Sequence, residues 1–488
     1  MLNKKCVSRI ALRLTVGLSG MMALVLIVVP VKAAMQTDIA GPPGSGQFGS
    51  RVTALPNGNF VVTDPFYDAG ATADVGAVYL YNGGNRVLIS KLTGSTANDR
   101  VGSHGVMVLA NGNYIVRSQH WINGAATDAG AVTWCSKTGG CSGAVSLANS
   151  LVGSQAGDEI GRDGVVALSN GNFVVQSPAW HNGAAANAGA VTWCSGTTGC
   201  AGAVASANSL VGSQANDNVG FYPDRVIELP DGNYVVPSPF WANGAAAKAG
   251  AVTWCSGTSG CSGPVNFANS LVGAQANNEV GGYGALALLN GSYVVLSPKW
   301  DNGAATDVGA VTRCGGAADC HGVVSPANSL VGSHALDSIG LFGVTVLMNG
   351  SYVVNSYWWD NAAAANAGAV TWCSETSGCS GVVSPANSLV GSKTNDQVGY
   401  SGVTKLTNGK YVVTSLDWNS ETASKVGAAT LCSGTAGCTG PVAPANSLVG
   451  SIANDQVGFN GVTALTNGNY VVDSMYWDAA VVNAGAVT

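Results

Sequence analysis

Charge is scarce in this chain. Only 9% of its 488 residues are Asp, Glu, Lys or Arg, and there are five histidines. Clusters of Lys and Arg, which a protein needs to hold a phosphate backbone, are missing, so nucleic acid is not an expected partner. Beyond Val31 no apolar run is long enough to cross a bilayer. No segment longer than a few residues has helical periodicity with proper caps, and Ala runs such as Ala245–Ala247 are too short to nucleate a helix. The sequence has no GxSxG, HExxH or P-loop glycine pattern, and His104, His120, His181, His321 and His334 occupy unrelated repeat positions. Paired carboxylates or a nucleophile with its base are not legible, so an enzyme is not expected.

What is present begins with an export signal. Lys4, Lys5, Arg9 and Arg13 precede an apolar run from Leu14 to Val31, and small residues follow at Ala33 and Ala34. Residues 1–33 are read as a secretory signal peptide cut after Ala33. The alternative is an uncleaved anchor, against which Gly17, Gly20 and Pro30 interrupt the run. Cleavage leaves 15 Lys and Arg against 26 Asp and Glu, a mildly acidic chain with no further membrane span expected. Of the 13 cysteines, Cys6 lies in the signal. The others form six pairs with five residues between partners: Cys135/Cys141, Cys194/Cys200, Cys255/Cys261, Cys314/Cys320, Cys373/Cys379 and Cys432/Cys438. Zinc sites and redox pairs favour closer spacing. In an exported chain this pattern predicts six local disulfides, no metal and no cofactor.

Internal repetition dominates the rest. "NSLVGS" or a near copy begins at Asn149, Asn208, Asn269, Asn328, Asn387 and Asn446, mostly 59 residues apart. An Asn-Gly or Asp-Gly turn occurs eight times, from Asn57 to Asn467. Each unit reads as four short strands: "GVTAL", "NYVVxS", "AGAVTW" and "NSLVGS". The Asn-Gly turn predicts a type I′ hairpin between the first two. The cysteine-stapled turn is expected to lead from the third strand to the fourth. Many such units predict an all-β fold, a β-propeller of about eight four-stranded blades filling residues 34–488 as one domain. The chain stops at "GAVT", after three strands of the eighth unit, while "DIAGPPGSGQFGS" near the N-terminus aligns without gaps on residues 447–459. The expectation is a closed ring, in which residues 37–41 supply the missing strand beside Gly485–Thr488 and remove both free edges. The alternative is a fragment of a longer array.

Residues 75–103, "VGAVYLYNGGNRVLISKLTGSTANDRVGS", resemble the FG-GAP repeat of integrin α-subunit propellers. The later units resemble repeats of long haemagglutinin-like bacterial surface proteins. The resemblance is specific for the fold and weak for activity. Integrin propellers have seven blades where eight are counted here. Their calcium loop is replaced by "NGN", so calcium is not implied.

Candidate site residues fall into three sets. The first is an aromatic on each strand two-to-three loop: Tyr67, Trp121, Trp180, Trp241, Trp300, Trp359, Trp418 and Trp477. These rings could form a rim for a sugar or protein, or could plug the gaps between blades. A further group, Trp134, Trp193, Trp254 and Trp372, ends strand three and reads as packing. The second set is Asp99, Asp158, Asp217, Asp337, Asp396 and Asp455, with Asn278 at the matching place, read as caps of loop amides. The third set consists of departures from the repeat: His104, Arg162, Asp163, Tyr222, Asp224, Arg225, Tyr283 and Phe342. The expected function is an exported, secreted or cell-surface binding or adhesion module for an extracellular glycan or surface protein. Trp121, Trp180, Trp241, Trp300, Trp359, Arg162, Asp163, Asp224 and Arg225 are its candidate ligand contacts. A structural surface or matrix protein is the alternative, with a propeller-based hydrolase behind it.

Overall fold

A computed structural model describes residues 37–221, 226–316, 320–479 and 481–488. The expected signal peptide, with Cys6, and the residues Tyr222, Asp224 and Arg225 lie outside the described residues. The fold is all-β, with eight repeated antiparallel sheets of the propeller-blade kind. Blade 2 is typical. Its strands are Val106–Val108, Tyr114–Ser118, Ala131–Cys135 and Ser150–Val152. Strands two and three run antiparallel, with Tyr114 opposite Cys135 and Ser118 opposite Ala131. Val, Tyr and Thr suit this pleated surface, where side chains pack against a neighbouring blade or strand.

Three local features differ from the sequence expectation. The Asn-Gly turn is not type I′. Asn57 keeps a negative φ while Gly58 has φ 86°, the Gly58 N–H donates to the Leu55 carbonyl, and Leu55 N–H donates to Asn59 O at 2.8 Å. The loop holds three residues, so a type I turn followed by a left-handed glycine matches the strand twist. Asn57 Oδ1 accepts the Asn59 N–H at 3.1 Å, a contact that a left-handed Asn is not needed to make.

The second difference is a fifth strand. After each cysteine hairpin the chain pairs, in parallel, with strand four of the preceding blade. Gly202–Ala203 of the third unit sits on blade 2, with Gly202 opposite Leu151. The same lacing recurs at Gly143–Ala144, Gly263–Pro264, Gly322–Val323, Gly381–Val382 and Gly440–Pro441. Among the described residues six sheets therefore have five strands, the seventh has four and the eighth three.

The third difference concerns where the cysteine hairpins lead. Six disulfides form, each within its own unit, as the spacing predicted: Cys135–Cys141, Cys194–Cys200, Cys255–Cys261, Cys314–Cys320, Cys373–Cys379 and Cys432–Cys438. The first cysteine of each pair ends strand three and is buried. The second was expected to feed strand four directly. Instead Cys141, Cys200, Cys261, Cys320, Cys379 and Cys438 each stand two residues before a lacing strand on the preceding blade. The cause is the glycine that follows, from Gly143 to Gly440, whose φ of 82–97° turns the chain aside before strand four can start. Cys320 is buried, while Cys141, Cys200, Cys261, Cys379 and Cys438 are half-buried at that bend. The disulfide thus anchors the lacing strand to the end of strand three. Such bonds belong to a chain that matures in an oxidising environment.

The core lies between blades. Seven buried clusters each join consecutive blades, as when Leu55, Val61, Leu80 and Leu92 of blade 1 meet Tyr114, Val116, Trp121 and Cys135 of blade 2. None among the described residues joins blade 8 to blade 1. Residues 37–41, expected to supply the closing strand, carry no strand, and the eighth sheet ends at Ala486–Val487. Blade 1 covers its own outer face. Where blade 2 has Thr133 and Cys135, blade 1 has Tyr79 and Tyr81. Phe48 meets both edge-on at 5.4 and 6.3 Å, and Phe60 stacks on Tyr81 at 5.5 Å. Among the described residues no helix is long and apolar enough to cross a membrane.

Candidate ligand-binding face

The repeated aspartates are structural. Asp99 is fully buried; its Oδ2 accepts the N–H groups of Ser95 and Thr96 at 2.8 Å, and its Oδ1 accepts Ile122 N–H at 3.0 Å. The first two contacts cap its own loop. The third reaches the two-to-three loop of the next blade. Asp158, Asp217, Asp337, Asp396 and Asp455 repeat this arrangement. Burial pushes the carboxyls of Asp99, Asp217 and Asp337 up from the ordinary range, against the downward pull of the amide hydrogen bonds. Their oxygens are occupied by amides, and among the described residues no cluster of three or more His, Cys, Asp or Glu is arranged to hold a metal ion.

The tryptophans expected on an exposed rim are not at the surface. Trp121, Trp180 and Trp241 are 4% exposed, Trp300 5% and Trp359 3%, each inside an inter-blade cluster. The ring turns inward because the loop that carries it is pinned by the aspartate of the preceding blade. The indole N–H groups of Trp121, Trp180, Trp241 and Trp359 meet no acceptor, so packing alone holds these rings. The group ending strand three makes a different contact. Trp134 Nε1 donates to Gly196 O, in the next unit's cysteine hairpin, at 3.0 Å. Trp193 and Trp372 do the same to Gly257 and Gly434. In the seventh unit Leu431 stands in the place of the tryptophan and is exposed.

What remains at the surface beside these pinned loops is the divergent set. It sits where the start of strand one meets the end of strand two. In blade 2 the rings of His104 and His120 lie 6.1 Å apart, and Arg117 Nη2 donates to His104 O at 2.8 Å. Burial, followed by the charges of Arg117, His120 and Arg51, holds His104 below the usual histidine value, while Asp163 pulls the other way. In blade 3 Arg162 pairs with Glu159 and, at 2.9 Å, with Asp163. In blade 5 Tyr283 is half-exposed beside a Lys299–Glu279 pair of 2.9 Å. There a cavity of about 210 Å³ is lined by Tyr283, Lys299, Asp307, Leu336 and Leu341. In blades 6 and 7 Phe342 stacks on Tyr357 at 3.6 Å, Trp358 stands edge-on to Phe342 at 5.0 Å, and Tyr400 meets Tyr357 at 5.2 Å. Trp358 is 41% and Tyr400 48% exposed, so this cluster presents ring surface to solvent.

His104, Arg162, Asp163, Tyr283 and Phe342 were thus legible as departures from the repeat. Arg51, Arg117, Tyr357, Trp358 and Tyr400 were not. They come from the ends of strands whose pattern looks ordinary, and only the fold brings them beside the first group. A wider cleft of about 360 Å³ lies elsewhere, among Leu406, Asn408, Lys410, Leu431 and Tyr470. Its lining is the regular repeat.

Comparison with known proteins identifies the repeat. The family described as "Repeat of unknown function (DUF5650)" matches residues 54–103, 108–162, 167–221, 228–282, 287–341, 346–400, 405–459 and 464–488. No curated protein matches the chain. Among solved structures the chain is similar to a eukaryotic initiation factor, with 11% identity over 92% of this chain and 90% of that one and a TM-score of 0.31. It is also similar to the Dos1 propeller, with 10% identity, 86% and 88% coverage and a TM-score of 0.29. BamB from Moraxella catarrhalis shows 10% identity, 87% and 92% coverage and a TM-score of 0.25.

Proposed function

Because this chain belongs to the DUF5650 repeat family, a family defined by its repeat, we propose its function from the surface that departs from the repeat: an exported, non-catalytic binding module for an extracellular glycan or surface protein. The observation that carries the reading is the exposed cluster of Phe342, Tyr357, Trp358 and Tyr400. Aromatic rings are normally spent on the core. Here four converge at the surface, next to a Trp359 that already fills the blade gap. Flat apolar rings rimmed by polar groups offer contact area at low entropic cost to a sugar face or a protein side chain. The FG-GAP-like landmarks of residues 75–103 and the acidic balance after signal removal support an adhesive, extracellular role over nucleic-acid binding.

The test is a glycan array probed with the protein lacking residues 1–33, with Trp358→Ala and Tyr400→Ala in parallel. Binding that drops at least tenfold in both variants, with unchanged melting temperature, supports the reading. Ligands bound equally well by both variants would place the site elsewhere.

A further inference from the structure

Four cations on this face sit on carboxylates, while Arg100 and Lys248 lie over the rings of Phe66 and Phe240. Arg162 is held by Glu159 and Asp163, Lys299 by Glu279, Lys393 by Glu421 and Lys425 by Asp417. Between blades 1 and 2 the arrangement changes. Arg51, at the start of the first strand of blade 1, lies across the face of Gly105: a Cβ built there would be 3.0 Å from Arg51 Cδ and 3.4 Å from its Nη1. Arg117 reaches the same turn, its Nη2 donating to His104 O at 2.8 Å and its backbone N–H to Gly105 O at 3.1 Å. Two guanidinium groups therefore lie against the His104–Gly105 segment. Among the described residues neither has a carboxylate partner. Arg117 Nε and His104 Nδ1 are buried and have no hydrogen-bond partner. The nearby acids are engaged: His120 holds Asp128 at 2.8 Å, and Arg162 holds Asp163 and Glu159.

Placing like charges together costs energy, and leaving a buried donor unpaired costs more. In a chain this poor in Lys and Arg, an oxyanion beside the two guanidinium groups would offset the first of these costs. We propose that Arg51 and Arg117, with His104 beside them, form a binding site for an oxyanion carried by an acidic glycan. Planar guanidinium groups pair in bidentate fashion with sulfate esters and carboxylates alike. The inference rests on reading this face as the ligand surface. It adds the ligand's charge, at a place separate from the aromatic cluster of blades 6 and 7.

The experiment titrates the protein lacking residues 1–33 with dextran sulfate, polygalacturonate and neutral dextran by calorimetry at low salt. Binding of one or both polyanions, and not of dextran, is expected despite the net negative charge of the protein. The sulfate and carboxylate arms show which oxyanion is preferred. Arg51→Gln, whose side chain is exposed, should weaken binding at least fivefold. Arg117→Lys should retain part of the affinity and Arg117→Gln little. Lys405→Gln, which removes a charge away from this face, should change nothing. Absence of polyanion binding, or equal affinity in Arg51→Gln and the parent, overturns the site. A negative glycan array together with positive, Arg51-dependent polyanion binding would sink the aromatic reading and leave this one standing.

Discussion

Asp158 of blade 2 accepts the backbone N–H of His181 in blade 3 at 2.9 Å, and the same oxygen takes His181 Nδ1 at 2.9 Å. One fully buried carboxylate thus caps its own loop and holds the loop of the next blade. The contact fixes the spacing between blades from inside the chain, where Arg–carboxylate pairs at the surface could not. Its regular recurrence explains why the loops carrying Trp180 and its counterparts turn inward.

Asp217→Asn should fold, with a loss of about 1 kcal/mol, because Asn278 already fills the matching place and its Oδ1 accepts Gln275 N–H at 3.0 Å. Asp217→Ala strands three amides and should cost roughly 2–4 kcal/mol. Urea unfolding measures both. Equal losses would mean that the amides find other partners.

Trp180→Ala should lower stability by about 3–5 kcal/mol, the usual cost of emptying a buried aromatic site. Trp358→Ala, one residue before a buried ring in its own blade, should cost under about 1 kcal/mol. Thermal melts of the two variants separate plug from platform.

Replacing Cys194 and Cys200 by Ser should cost about 2 kcal/mol on the chain-entropy account. The damage should be local. Gly196 O, inside that hairpin, accepts from Trp134 Nε1, from Asn111 Nδ2 at 2.8 Å and from Asn113 Nδ2 at 3.0 Å. Hydrogen exchange should rise across blades 2 and 3 and stay unchanged in blade 6. Uniform loosening would contradict a nearest-neighbour architecture.

Stability should fall as pH rises above about 4, the ordinary carboxylate value. The carboxyls of Asp99, Asp217 and Asp337 are held above that value by burial, so in this window the folded chain binds more protons than the unfolded one. The urea midpoint should decline through the window, and Asp217→Asn should flatten the decline. A midpoint that climbs there would show that other groups dominate.

Blade count, four strands per full blade and the six cystine pairs were legible because each has a local signal: alternation, a glycine turn or a fixed spacing. The fifth strand was not, since Gly202–Ala203 is two residues long and pairs with a different repeat. For the same reason the spacing of Cys194 and Cys200 told which sulfurs join and not where the chain goes after them. Nor was the turn type legible, because Asn-Gly leaves open whether the loop holds two residues or three. The recurrence of an aromatic at the place of Trp121 in every unit did carry the plug reading alongside the rim. The outward cluster of Trp358 and Tyr400 depends on two loops meeting, and sequence order does not encode that meeting.

The lacing strand also sets a timetable. Strand four of blade 2, at Ser150–Val152, gains its last ladder partner only when Gly202–Ala203 arrives, about fifty residues later. At synthesis rates of about 5–20 residues per second that is a delay of roughly 3–10 s. For that interval the newest blade has an open edge, and the hairpin that closes it must form its own cystine nearby. Assembly should therefore run in one direction, each sheet being finished only after three strands of its successor have been made. A stall in oxidation at one hairpin would leave a single sticky edge at the growing front.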